Sequence, residues 1–346
     1  MKKFFPFAVL LLAISAKAQD IHFSQFYMSP LTLNPALTGA QHDMQVNLNY
    51  KDQWQSVTNP FRTSAVSFDM RTGKNKKSKG FLAFGANIFN DNAGDGKIAT
   101  TQGNLSLAYH ARIDDNNTFG GGLQAGFAQR SMNGGSLQWG TQFNGFNYDS
   151  SLPAQEPSGA SSSFSYADFG AGLDWNHDNI SGARNVTNNH DEKFNFGVSV
   201  FHLNRPAYSF YGTGEKLYMR FVAHGSAILS LPNSNVAFVP GFMYARQGPQ
   251  QEIYAGTLIR YVLGMDSKYT GFKQGAALSI GGFLRARDAI AVVTMLEFSH
   301  YSVGFSYDVN VSPLRTASSS RGGFEIALRF VSPNPFQPSG SSRMID

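Results

Sequence analysis

Gly323-Phe324-Glu325-Ile326-Ala327-Leu328-Arg329-Phe330, close to the carboxyl end, decides the fold. Phe324, Ile326, Leu328 and Phe330 take one set of alternate positions, and Glu325, Ala327 and Arg329 take the other. Successive side chains of a strand point to opposite faces, so this octet reads as a strand with one greasy face and one polar or tiny face. The pattern recurs upstream. In 302–309, Val303, Phe305, Tyr307 and Val309 oppose Ser302, Gly304, Ser306 and Asp308. Leu105, Leu107, Tyr109 and Ala111 alternate with Ser106, Ala108 and His110, and Val46, Leu48 and Tyr50 alternate with Gln45, Asn47 and Asn49.

Such runs cover 43–52, 63–71, 80–90, 98–112, 118–130, 164–176, 194–202, 218–230, 236–246, 252–262, 274–286, 290–299, 301–309 and 322–331. Fourteen is an even number, as an antiparallel sheet needs if it closes with both ends on one side. Alternation alone fits a β-sandwich with its apolar face inward or a membrane barrel with its apolar face toward lipid. Length separates them, because many runs reach the ~9–11 residues of a tilted transmembrane strand and exceed the ~5–6 of soluble sheets. The expectation is therefore all-β: a transmembrane antiparallel β-barrel of about 14 strands over 43–331. Closure removes the strand edges that hydrocarbon cannot satisfy.

Composition agrees with this expectation. The chain is 14% aromatic, has 35 glycines and is only 15% charged, below the ~25% charged residues of ordinary soluble chains. Its mean hydropathy is negative, as it must be when only every second residue meets lipid. No run of eighteen apolar residues exists to make a helical span. Cysteine is absent, so disulfides and thiolate metal sites are excluded.

Residues 1–18 read as a secretory leader. Lys2 and Lys3 precede an apolar stretch from Phe4 to Ala16, and Ala16-Lys17-Ala18 supplies a small-x-small cleavage site, leaving Gln19 first in the mature chain. The stretch is too short to cross a ~30 Å hydrocarbon core as a helix. Lys2, Lys3 and Lys17 lie in this leader, which holds no acid, so the mature chain stands three below the formal +5, at +2. Nothing in that balance suggests nucleic acid as a partner. Residues 332–346, with Pro333, Pro335 and Pro338, form a flexible polar tail.

Connections should alternate between short periplasmic turns and longer outer loops. Asp114–Asn117 and Leu231–Asn235 share the parity of short turns, while 131–163 and 203–217 have the outer parity; 177–193 is long where a periplasmic turn is expected.

Between leader and barrel, 19–42 shows no alternation and is expected to be a plug or lid. Its opening, Asp20-Ile21-His22-Phe23-Ser24-Gln25-Phe26-Tyr27, is followed by Pro30 and by Leu33-Asn34-Pro35-Ala36-Leu37-Thr38-Gly39. These two pieces closely resemble the start of the PorP/SprF family, outer-membrane proteins associated with the type IX secretion system of Bacteroidota. The resemblance continues through Tyr50-Lys51-Asp52-Gln53-Trp54 with Pro60, Asn90-Asp91 with Gly94, Asp168-Phe169-Gly170 and the stretch from Gly197 to Pro206. It closes on Gly304-Phe305-Ser306-Tyr307-Asp308 and Phe324-Glu325-Ile326-Ala327-Leu328. It implies an outer-membrane, non-enzymatic partner protein with no cofactor. Such a protein binds a particular secreted cargo through the cargo's C-terminal sorting domain and supports its export or surface attachment, as for the mobile adhesins of gliding bacteria. Other translocon components and outer-membrane lipid are the further partners it implies. The tail after Phe330 departs from the family pattern, and no role carries over to it.

His22, Phe23, Ser24, Gln25, Phe26, Tyr27, Asn34 and Pro35 are the candidate plug or partner-contact residues. Pro35 holds Asn34 extended, and the aromatic rings need an apolar cover. Two readings stand: a structural lid packed under or inside the barrel, or a contact surface for another translocon component. The other motifs are weak. The eight histidines lack metal spacing. Asp91–Gly96 echoes a calcium loop but has Ala93 and Gln102 where ligands belong. Gly120-x-Gly122-x-x-Ala125 lies in a strand with no helix after it, so its glycines are read as letting large neighbours pack or as opening lumen space. Lys74, Lys76, Lys77 and Lys79 read as a solvated turn or a contact to anionic lipid headgroups. The competing function is a transporter for small apolar molecules, similar to the fatty-acid transporters. That would require an apolar path through a lumen whose quoted inward residues are small, polar or charged.

Overall fold

The computed structural model describes residues 20–55, 59–72, 79–94, 96–133, 140–153, 162–178, 192–264, 275–313 and 315–332. One antiparallel sheet closes into a barrel of fourteen strands. These are β1 (Met44–Gln53), β2 (Phe61–Arg71), β3 (Gly80–Ala93), β4 (Ile98–Arg112), β5 (Asn117–Ser131), β6 (Ser163–Asp178) and β7 (Lys193–Phe201). β8 (Arg220–Ser230), β9 (Val236–Gln247), β10 (Gln250–Gly264), β11 (Ala276–Arg285), β12 (Ala289–Phe298), β13 (Tyr301–Asn310) and β14 (Arg321–Ser332) complete it. Every strand pairs with its neighbours in sequence, and β1 closes on β14 from Met44↔Ser332 to Gln53↔Gly323.

The octet that opened the sequence reading lies in β14, with Glu325 and Ala327 buried inward. The strands follow the alternating runs closely. β3 goes furthest beyond its run at one end, through Asp91 and Asn92 to Ala93. Those two polar residues have no apolar face to signal a strand, yet their backbones pair with Thr100 and Ala99 of β4.

The outer face is apolar at mid-height. Leu105, at the centre of β4, is 70% exposed, and Leu82, Ile88, Leu123 and Ile280 stand out from the same wall. Aromatic rings border this belt: Tyr109, Trp175, Tyr261 and Tyr301 toward one rim, Tyr50, Tyr307 and Phe324 toward the other. A tall apolar band between two aromatic girdles is the lipid-facing surface of a membrane barrel. Among the described residues no helix is long and apolar enough to cross a membrane.

The connections sort to two ends. One end carries 132–162 and 202–219 with the tight turns at 248–249 and 286–288; the other carries 113–116, 231–235, 299–300 and the ends of β1 and β14 that lead to the chain termini. The first is here named the mouth. The leader, the tail beyond Ser332, the segment 179–191 and Lys74, Lys76 and Lys77 of the basic cluster lie outside the described residues.

Candidate functional site

Residues 20–42 run inside the barrel. Proline sets their local shape. Pro30 and Pro35 each occupy the first turn of a short helix, Pro30–Leu33 and the 3-10 turn Pro35–Leu37, where a missing N–H costs nothing and φ is already helical. Asn34 is held extended before Pro35, with φ −159° and ψ 124°, and its side chain caps the following turn by accepting from Ala36 N at 2.8 Å.

The segment threads the lumen from end to end. Near the termini, Gly39 N donates to Asp69 Oδ2 at 2.7 Å and the Thr38 carbonyl accepts from His110 Nε2 at 2.8 Å. At mid-height, Asn34 Nδ2 reaches the Leu173 carbonyl at 3.0 Å, the Val198 carbonyl at 3.3 Å and His224 Nε2 at 3.1 Å. Ser199 Oγ donates to the Leu33 carbonyl at 2.7 Å. Higher up, Glu325 accepts from the backbone of Ser24 at 2.6 Å and Gln25 at 3.0 Å. Ser24 Oγ donates to Asp308 at 2.9 Å, Tyr254 donates to the Ser24 carbonyl at 2.8 Å, and Lys51 donates to the His22 carbonyl at 3.2 Å. The Tyr27 carbonyl accepts from Arg329.

All eight candidate residues are thus brought into the lumen, buried or half-buried. Its wall is met by the backbone of His22, Ser24, Gln25 and Tyr27 and by the side chains of Ser24, Phe26, Tyr27 and Asn34. Phe26 meets Tyr254 and Phe283 edge-on, each at 5.8 Å between centroids, and Tyr27 lies 5.9 Å from Phe283. Pro35 fits because Gly122 lies opposite. A Cβ there would stand 2.5 Å from the backbone of Pro35 and Ala36. Gly122 thus makes room for the segment, whereas Gly120 makes room for the Asp174 and His110 side chains of the wall.

Two features escaped the sequence reading. First, the inner face is not uniformly polar. From β8 to β12 it carries Val222, Met243, Tyr254, Leu258, Phe283, Val293 and Met295, covered by Phe26, Met28, Leu33 and Leu37. β12 (AIAVVTMLEF) is apolar on both faces, so alternation could not reveal which residues face in. Second, the mouth end of the segment is held by a charge cluster. His202, just past β7, donates from Nε2 to Asp20 at 2.6 Å and from Nδ1 to Asp168 at 2.8 Å, with Arg220 4.0 Å from Asp20. Burial opposes charge on His202, but the Asp20 carboxylate and hydrogen bonds to both acids outweigh it and push the pKa up to about 10. Burial likewise works against the Asp20 carboxylate, and His202 and then Arg220 hold it well below the usual carboxylate range. These residues are far apart in the chain, and no local pattern announces them.

Among the described residues no three His, Asp or Glu side chains converge as a metal site. The luminal charges serve each other: Asp308 lies 3.1 Å from Arg285 and 3.8 Å from Lys51.

A sequence profile described as type IX secretion system membrane protein PorP/SprF matches residues 15–330. The chain belongs to the PorP/SprF family. That membership and the closed barrel place it in the outer membrane, as a membrane component of type IX secretion. No relative was found among the curated proteins. Solved structures with similarity include the TodX deltaS2S3 mutant monoaromatic hydrocarbon channel (10% identity, 90% of this chain and 95% of that one, TM-score 0.47). The CymD monoaromatic hydrocarbon channel follows at 12% identity, 89% and 93% coverage and TM-score 0.42. BamA from Haemophilus ducreyi lacking POTRA domains 1–3 is 10% identical, covering 84% of this chain and 71% of that one, with TM-score 0.41.

Proposed function

We propose that this PorP/SprF protein is a non-enzymatic outer-membrane partner barrel. It binds a specific secreted protein by that protein's C-terminal sorting domain and supports its export or its attachment at the cell surface. In this reading the leader is cleaved after Ala18, residues 19–42 are a plug, and the mouth with its long loops faces outward, following the usual asymmetry of outer-membrane barrels. The observation that carries it is the filled lumen. A segment bonded to β1, β2, β4, β7, β13 and β14 leaves the mouth and its loops as the surface for a partner. Other translocon components would meet the opposite rim or the loops. His22–Tyr27, Asn34 and Pro35 act as the structural lid, a role supported by their burial and by the bonds of His22, Ser24, Gln25, Tyr27 and Asn34 to the wall.

One observation favours a second reading. The apolar inner face of β8–β12 would suit a small apolar molecule if Phe26, Met28, Leu33 and Leu37 withdrew. Mild-detergent isolation of the tagged protein from native outer membranes, with mass spectrometry of what stays bound, separates the two. A large secreted protein retained in near-equal amount supports the partner barrel. Isolation alone, with an apolar small molecule held tightly, would move the transporter forward.

A further inference from the structure

The 132–162 loop contains a short segment that is folded on its own hydrogen bonds. Gly140–Gln142 form a 3-10 turn, and Phe143 and Tyr148 then pair as an antiparallel bridge. The turn between them is closed at several points. Asn144 N donates to the Asn147 carbonyl at 3.2 Å, and Asn144 Oδ1 accepts from both Phe146 N and Asn147 N at 3.0 Å. Asn144 Nδ2 also donates to Asn147 Oδ1 at 2.8 Å, and Gly145 supplies the left-handed position with φ +99°. Below the bridge, Asp149 N donates to the Gln142 carbonyl at 2.8 Å, and Asp149 Oδ1 accepts from Ser151.

This small hairpin presents an aromatic tip. Phe146 is 96% exposed at the apex of the turn, with Phe143 at 58% and Tyr148 at 41% beside it. Most other exposed rings of the barrel sit on strand faces where the bilayer covers them; Tyr211 and Tyr218, less exposed than Phe146, lie in the 202–219 connection at the same end. Phe143, Phe146 and Tyr148 lie in the connection between β5 and β6, beyond the strands. Asp149 is the only charge in 140–153, so neither steering by charge nor anionic lipid explains the exposure. A ring held rigidly in water at no benefit to its own fold is the arrangement of a binding anchor, because little ordering cost remains when it is buried. The loop around it is rich in Ser, Gly and Asn with four aromatics, Trp139, Phe143, Phe146 and Tyr148. Antibody paratopes use the same mixture, rigid rings for area and small polar residues for adaptable hydrogen bonds.

We infer that Phe146 is the anchor by which this barrel holds its secreted partner, inserting into an apolar pocket on a folded, uncharged face of that protein, with Phe143 and Tyr148 against the pocket rim. The inference rests on the partner-barrel reading and names its contact. The test places a photo-crosslinking phenylalanine analogue at Phe146 and, as a control, at Leu105 in the lipid-facing wall, in full-length protein in native outer membranes. Partner retention is measured in parallel for wild type and for Phe146→Ala, with folding checked by the heat-dependent gel shift of the barrel. The expected result is a crosslink from position 146, and none from 105, to a domain of a secreted protein. Phe146→Ala should then weaken retention by about ten- to a hundredfold with the barrel intact. Wild type retaining its partner while position 146 crosslinks only to lipid, or to nothing, or while Phe146→Ala retains it equally, overturns the anchor and leaves the partner barrel standing. Wild type retaining no secreted protein overturns both.

Discussion

Replacing Asn34 by alanine should release the luminal segment without opening the barrel. The Asn34 side chain is fully buried and works in two directions at once. It caps the Pro35–Leu37 turn through Ala36 N, a contact worth ~1 kcal/mol. Its Nδ2 ties the segment to β6, β7 and β8 through Leu173, Val198 and His224. Losing two hydrogen bonds at ~1 kcal/mol each, and leaving Ala36 N–H unpaired in the interior, brings the total to ~2–4 kcal/mol. At 1.4 kcal/mol per factor of ten, the released population should rise by roughly 30- to 700-fold. The chain has no native cysteine, so a single Leu31→Cys reports on the segment alone. Leu31 is 0% exposed, and a maleimide can reach it only when the segment leaves the wall. Its labelling rate in native membranes should therefore rise by that factor when Asn34→Ala is added. An unchanged rate, with the barrel still folded by its gel shift, would refute the reasoning.

Gly122→Val should act in the same direction by sterics, since its Cβ would meet the Pro35–Ala36 backbone at 2.5 Å while valine suits the strand; Leu31→Cys labelling should again rise. The His202 cluster predicts an alkaline release of the mouth end. Its folded pKa is raised above the ordinary 6.5, so the stabilisation is complete below 6.5 and is lost as pH climbs through about 10. A spin label at Ile21→Cys should stay immobilised at neutral pH and loosen above pH 10, and His202→Gln should abolish that step; equal mobility up to pH 11 in the wild type would count against it. Leu105→Arg, at the middle of the outward belt, should cost the barrel ~2–4 kcal/mol in bilayers, read as lowered urea resistance. No loss would mean that this face does not meet hydrocarbon.

The barrel was legible because lipid on one side and a crowded interior on the other impose a period of two on nearly every strand. Glu325 and Arg329 announced the inner face of β14 by charge alone. Legibility failed where that contrast vanished. β12 has Val293 and Met295 inside and Val292 and Leu296 outside, so its pattern hides the apolar wall of the lumen. The strand end at Asp91–Ala93 was missed for the opposite reason, since Asp91 and Asn92 put polar groups on both faces. The segment 20–42 stood out by its lack of alternation and its prolines, but its route could not be read. Its partners Asp308, Tyr254 and Glu325 lie more than two hundred residues away. The Asp20–His202–Asp168 cluster and the Phe146 turn are likewise products of closure and of local hydrogen bonding, which composition does not encode.

The proposal that the barrel serves a secreted partner is tested most directly in cells lacking this chain. Quantitative proteomics of the cell surface would be compared between those cells, the parent strain and cells complemented with the full-length protein, alongside uptake of small apolar compounds. The account predicts that one secreted protein with a type IX C-terminal domain leaves the surface, returns on complementation, and that uptake is unchanged. An unaltered surface proteome with impaired uptake would contradict it.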